Sequence, residues 1–199
     1  METEARSDAA TRRVRAASSL NAGHLIAAAL GLVFVVANSG ALAPGPRIAL
    51  LLTAVATALV PAAAALRVRR LRRDDPWSRT VGIDRSVWIA IGVEAFAMAL
   101  GLGVLQQTAT AILVAWVACV VGFSLVLMAV WWLPGSSELR AVGILLTSLG
   151  VAGFMTGFLG GSAAAVALLS GVGSGAVLLA STLVVGIRSL RLVGSVSTR

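Results

Sequence analysis

The chain has one cysteine, one histidine and no lysine among its 199 residues, and only eight acids. A single cysteine excludes an intramolecular disulfide, and a metal site would need partners that are absent. Cys119 falls inside a long apolar run and reads as a small buried apolar residue. Charge is scarce as well. Charged residues make up 12% of the chain, where a soluble domain carries about a quarter. With 58% of residues hydrophobic, a water-soluble fold has too little polar surface to cover itself. Lipid as solvent removes that difficulty.

What is present is a succession of apolar runs about 20 residues long, the length that matches a hydrocarbon core of about 30 Å. Backbone groups in lipid must be satisfied within the protein, so helices or closed barrels are the choices. The runs are continuous rather than alternating, which selects helices. The expected fold is all-α, a bundle of about six transmembrane helices with both termini cytoplasmic. Spans are predicted at about 19–37, 47–66, 86–105, 109–132, 141–159 and 163–187. A polar tail (1–18) precedes them, a basic tail (188–199) follows, and a basic loop (67–85) joins the second and third. The outer loops are short and leave no room for an outer domain.

The sixteen basic residues are all arginine and give a net charge of +8. That excess does not point to nucleic acid. Fifteen of the sixteen fall on one side of the six-span reading, with only Arg47 on the other, as expected when basic residues mark the cytoplasmic side. Trp77, Trp88, Trp131 and Trp132 fall near the same interface, where indole rings prefer to sit. Absence of lysine alongside abundant alanine, glycine, valine and leucine suggests a high-GC bacterial genome. The expected location is a bacterial cytoplasmic (inner) membrane. Residues 25–37 followed by Ala41-Leu42-Ala43 imitate a cleavable signal, but Pro44 directly after the cut should obstruct a peptidase, so the first span is read as uncleaved.

Few residues are suited to chemistry. Glu94 is the sole acid within a predicted span, well into the hydrocarbon. An intramembrane acid is a functional candidate by default, because placing it there is costly. Its two readings are a proton or substrate site, and a neutral or hydrogen-bonded group that sets helix register. His24, one turn into the first span, is near enough in depth to pair with Glu94 if the first and third helices touch. Acid–base catalysis needs two placed titratable groups, and a nucleophile needs an adjacent base. The sequence supplies neither convincingly, so no enzymatic activity and no cofactor are expected. No span carries a file of acids, amides and hydroxyls on one face, which argues against a wide polar channel.

Packing signals are stronger. Gly153, Gly157 and Gly161 repeat at a spacing of four on the fifth span, and Gly171 and Gly175 follow Ser170 and Ser174 on the sixth. Small residues in rows let backbones approach closely, which replaces the hydrophobic drive that lipid removes. The two spans are expected to pack as an antiparallel hairpin. Pro61 predicts a kink in the second span. Arg69, Arg70, Arg72 and Arg73 form a cluster suited to anionic lipid headgroups, at roughly 1 kcal/mol per basic residue near the surface, or to a cytoplasmic partner. The protein is thus expected to be a non-enzymatic subunit, scaffold or regulator that associates with a membrane partner or with itself. The alternative is a small proton-coupled transporter using Glu94.

These readings part at two residues. A transporter using Glu94 loses proton-linked flux on Glu94→Gln with folding preserved. A packing scaffold tolerates Glu94→Gln and loses assembly on Gly157→Leu. Carbodiimide labelling of Glu94 in native-like membranes, with Glu94→Gln as the blank, shows whether the acid is protonated and reachable.

Overall fold

A computed structural model describes residues 24–72, 96, 99, 110–131 and 136–197. Among these the structure is helical throughout, without a strand. Helix α1 covers residues 24–38 and closes in a 3-10 turn, Ser39–Ala41. Helix α2 is Pro44–Arg72, α3 is Thr110–Trp131 and α4 is Ser137–Phe158. Helix α5 starts as Ala163–Val166, passes through a π-helical segment, Ala167–Val172, and continues as Gly173–Ser197. All five are long and apolar enough to cross a membrane. Of the predicted third span only Phe96 and Ala99 are described, both helical and exposed. The polar tail, Trp77, Trp88 and Trp132 lie outside the described residues.

The helices outrun the apolar runs that announced them. The second begins at Pro44 rather than residue 47 and continues to Arg72, inside the predicted basic loop. Its start follows from proline chemistry. Arg47 N–H bonds the Ala43 carbonyl at 3.0 Å, so Pro44 and Pro46 occupy the first turn, where missing N–H groups cost nothing. The predicted turn-rich loop at residues 38–46 shrinks accordingly, and Asn38 belongs to α1. The fifth predicted span starts earlier, at Ser137, and the sixth continues to Ser197. Hydropathy marks where the chain is apolar, whereas a helix runs on until its backbone is capped.

The α4–α5 turn shows such a stop. Gly160 has φ of +80°, Gly161 N–H bonds the Thr156 carbonyl at 2.8 Å and Gly160 N–H bonds that of Gly157 at 3.3 Å. This is a Schellman motif, which needs a residue free to adopt positive φ. Ser162 then caps α5, its Oγ accepting from Ala165 N–H.

Side-chain size is distributed inside out. Buried apolar residues include Ala28, Ala54, Ala64, Ala115, Ala118 and Ala129, while Ile26, Leu52, Leu59, Phe123 and Phe158 are exposed. In water such a surface would aggregate. In lipid it is the expected arrangement, because small residues allow close helix contact and large ones lose nothing by facing acyl chains.

The most extensive interface joins α3 and α4. Gly143 faces Val126 and Gly122, Gly150 faces Cys119 and Ala115, and Gly157 faces Ile112. Each step of seven residues along α4 answers a step of seven back along α3, so the pair is antiparallel with a heptad spacing. A Cβ built on Gly150 would lie 2.6 Å from Cys119 N, so that contact is backbone against backbone. Helices α4 and α5 are also antiparallel, through Gly157–Val166, Gly153–Ser170 and Leu149–Gly173. Helix α5 is antiparallel to α1, through Asn38–Gly171 and Gly31–Gly175. It is parallel to α2, since Ala54 clusters with Leu179 and Pro61 meets Gly186, seven residues on in both chains. Phe34, Ala118, Val121, Leu146 and Leu178 form one core cluster, fed by α1, α3, α4 and α5. Thus α5 touches every other described long helix.

These directions put α2, α3 and α5 parallel, with α1 and α4 opposed. The end of α2 and the start of α3 therefore lie at opposite ends of the bundle. Arg67, Arg140, Arg188 and Arg191 gather at one end, and Arg47 stands at the other. At the charged end Arg188 donates to Glu138 in an exposed ion pair that bridges the start of α4 and α5. An exposed pair adds about 0–1 kcal/mol. Helix α2 continues through Pro61, which is buried on Gly186, so this proline fits a neighbouring backbone.

Gly150→Ala should destabilise by about 1–3 kcal/mol, the usual cost of overpacking. Gly45→Ala, with nothing within 4 Å, should stay within about 1 kcal/mol in the stabilising direction. Thermal unfolding in detergent, monitored by circular dichroism, compares the two.

Candidate functional site

Hydroxyls in a membrane helix have one acceptor always at hand, the carbonyl one turn back along their own helix. Several described hydroxyls use it. Thr53 donates to the Ala49 carbonyl at 2.8 Å, Thr57 to Thr53 at 2.7 Å, Thr147 to Gly143 at 2.8 Å, Thr156 to Ala152 at 2.8 Å and Ser170 to Val166 at 2.7 Å. Ser181 and Thr182 reach back three residues, to Leu178 and Leu179. Ser174 departs from the pattern. It is fully buried, and its Oγ has no hydrogen-bond partner in the protein. Four residues before it is Ser170, inside the π segment.

The π segment gathers the other buried polar groups of this end. Asn38 is 8% exposed and donates from Nδ2 to the Phe34 carbonyl at 2.8 Å. It lies flat against Gly171, where a Cβ would come within 2.5 Å of Asn38 Cβ. Ser39 is fully buried and donates to the Val36 carbonyl at 3.2 Å. Its 3-10 turn packs against the π segment. The set Asn38, Ser39, Ser170 and Ser174 is thus buried, neutral and strung along a local break in α-helical winding, with Asn38 against Gly171 and Ser170 against Gly153, and such breaks are common at functional sites. It can donate and accept hydrogen bonds. It carries no group for acid–base work, and among the described residues no set of His, Cys, Asp and Glu is placed to hold a metal ion.

The predicted site residues are dispersed. Glu94 lies outside the described residues, and so does Arg73. His24 sits half-buried in the first described turn of α1. Arg69, Arg70 and Arg72 belong to the last turns of α2. Gly153 meets Ser170 as the hairpin requires, while Gly157 is shared between Ile112 of α3 and Val166 of α5. Gly161 does not join that packing row. It belongs to the helix stop, and its neighbour is Thr156 of its own turn. Gly171 and Gly175 face Asn38, Gly31 and Val35 of α1 rather than α4. Trp116 packs edge-on against Phe154, with centroids 6.1 Å apart.

The sequence reading missed three features. Asn38 was assigned to a loop, although it directly ends an apolar helical run. Gly143 and Gly150 went unremarked, although their spacing of seven is the signal for the α3 contact. The buried hydroxyls of α5 are the third, since Ser170, Ser174, Thr182 and Ser189 are all buried while the sequence reading singles out only Ser170 and Ser174. Comparison with known proteins finds no family model, no curated protein and no solved structure that matches this chain.

Gly171→Ala should lower the unfolding temperature, because the new methyl group meets Asn38. Adding Asn38→Gly should return part of the loss. Recovery in the double variant beyond the sum of the single changes measures the contact.

Proposed function

We propose that the protein is a six-span, non-enzymatic component of a bacterial cytoplasmic membrane, with both termini in the cytoplasm, acting as a subunit, scaffold or regulator. The observation that carries this reading is the closed interior. Helices meet through glycine and alanine backbones, and the described buried polar groups are neutral and mostly bonded to their own helices. Such a core holds a shape and offers little chemistry. The surfaces left for interaction are the apolar belt and the arginine-bearing end, suited to anionic lipid, a membrane partner or a second copy of the chain.

Six crossings are supported by helix direction. Helices α2 and α3 run the same way, so the 37 residues from 73 to 109 begin at one end of the bundle and finish at the other. Residues 86–105 supply an apolar run of the length one crossing needs. The cytoplasmic assignment rests on Arg67, Arg140, Arg188 and Arg191 sharing one end.

A second reading, a small proton-coupled transporter using Glu94, is favoured by the break in α5. Transporters build polar sites where a central helix departs from α-helical winding, and α5 turns Ser170, Ser174, Thr182 and Ser189 inward.

Topology and transport each have a direct test. In a Cys119→Ser background, an impermeant maleimide should label Gly45→Cys in intact cells and Ser137→Cys only after permeabilisation. Labelling of both from the same side overturns the arrangement. The protein reconstituted in vesicles should pass no proton current above empty vesicles. A flux abolished by Glu94→Gln replaces the scaffold reading with the transporter.

A further inference from the structure

Ser174 bears on more than packing. It is fully buried, and its Oγ is the one buried side-chain polar atom among the described residues without a partner. The cause is local. A hydroxyl residue in a regular helix turns its oxygen to the carbonyl three or four residues earlier, as Thr147, Thr156 and Thr182 do. For Ser174 those carbonyls belong to Ser170 and Gly171, within the π segment Ala167–Val172. There the hydrogen bonds span five residues, as from Gly173 N–H to the Leu168 carbonyl, and the carbonyls leave the line that Ser174 would use. Where five-residue spacing returns to four-residue spacing, one carbonyl is also passed over by the helix ladder. The unbonded Ser174 hydroxyl therefore stands one turn from a change of helical winding, and leaving a polar group unpaired inside a membrane bundle is costly.

We propose that the π segment is a hydration site, with one water molecule held between Ser174 Oγ and the carbonyl that the α5 ladder passes over. The ligand is taken as uncharged, because the polar side chains placed at the π segment, Asn38, Ser39 and Ser170, are neutral. It must be small, because a Cβ on Gly175 would lie 2.7 Å from the Gly31 carbonyl oxygen, and one on Gly153 or Gly171 would meet the Ser170 or Asn38 side chain within 2.8 Å. It must donate and accept at once, because the two groups it joins are a hydroxyl and a carbonyl. Water meets all three conditions, and buried waters ordinarily bridge such groups. The water stabilises the π winding. This inference goes beyond the functional reading above and holds for a scaffold or a transporter. In a transporter it marks a wet point on the inward face of α5.

The test uses the full-length 15N-labelled protein in lipid nanodiscs. Magnetisation transfer from water to the amides of Gly173 and Ser174 should be visible in the unaltered protein and absent in Ser174→Ala. Ser174→Ala should also lower the unfolding temperature by about 2–4 °C, the shift that a loss of order 1 kcal/mol gives in a chain of this size. Ser170→Ala, which removes a hydroxyl already bonded within its helix, should keep the water signal and separates loss of water from general loss of structure. Absence of the signal from the unaltered protein overturns the proposal without reference to any variant. A signal accompanied by an unchanged or raised unfolding temperature in Ser174→Ala overturns it too, since it then reports only exchange of a bare serine hydroxyl.

Discussion

Contact between bare helix backbones is the interaction on which the rest of this structure depends. Lipid offers helices no hydrophobic reason to associate, so dispersion and close fit must hold them. Gly150 against Cys119, Gly175 against Gly31 and Gly186 against Pro61 each bring main chain to main chain. A single methyl group at any of them meets atoms that cannot move aside. The inverted distribution of size follows from this requirement. Alanine and glycine go inward because they permit approach, and isoleucine, leucine and phenylalanine go outward because acyl chains accept them.

Close packing also decides what the interior can do. Interfaces built from glycine and alanine bring few reactive side chains, and several of the hydroxyls present answer to their own helices. Helix α5 is the exception. It contacts α1, α2, α3 and α4, and its faces cannot all be met by one unbroken α-helical winding. The π segment lies where α5 presents Ser170 to α4 and Gly171 to α1. An extra residue in one turn shifts the register of the face that follows relative to the face before it. The displaced hydrogen bonding at Ser174 is the cost of that adjustment and the source of the polar site.

Charge is organised by end rather than by pocket. Arg67, Arg140, Arg188 and Arg191 come from three helices and meet at one end because α2 and α5 are parallel and α4 opposes them. Only Glu138 offsets them among the described side chains there, through its exposed pair with Arg188. An arginine-rich end of this kind is what the proposed cytoplasmic orientation and anionic-lipid contact rest on.

The sequence by itself determined the class of the protein: long apolar runs specify helices long and apolar enough to cross a membrane. It also announced the helix stop at Gly160–Gly161, although the spacing of four there read as packing, because glycine serves both uses. What tertiary structure alone decided is which small residue meets which. Gly171 and Gly175 are indistinguishable from Gly153 as sequence, yet they face α1 rather than α4. Asn38 became a buried polar residue only when α1 extended to include it. Ser174 became unpartnered only because the winding before it is π-helical. Periodicity along one chain records which face of a helix is small. Which neighbour covers that face, and at what register, depends on contacts between distant segments.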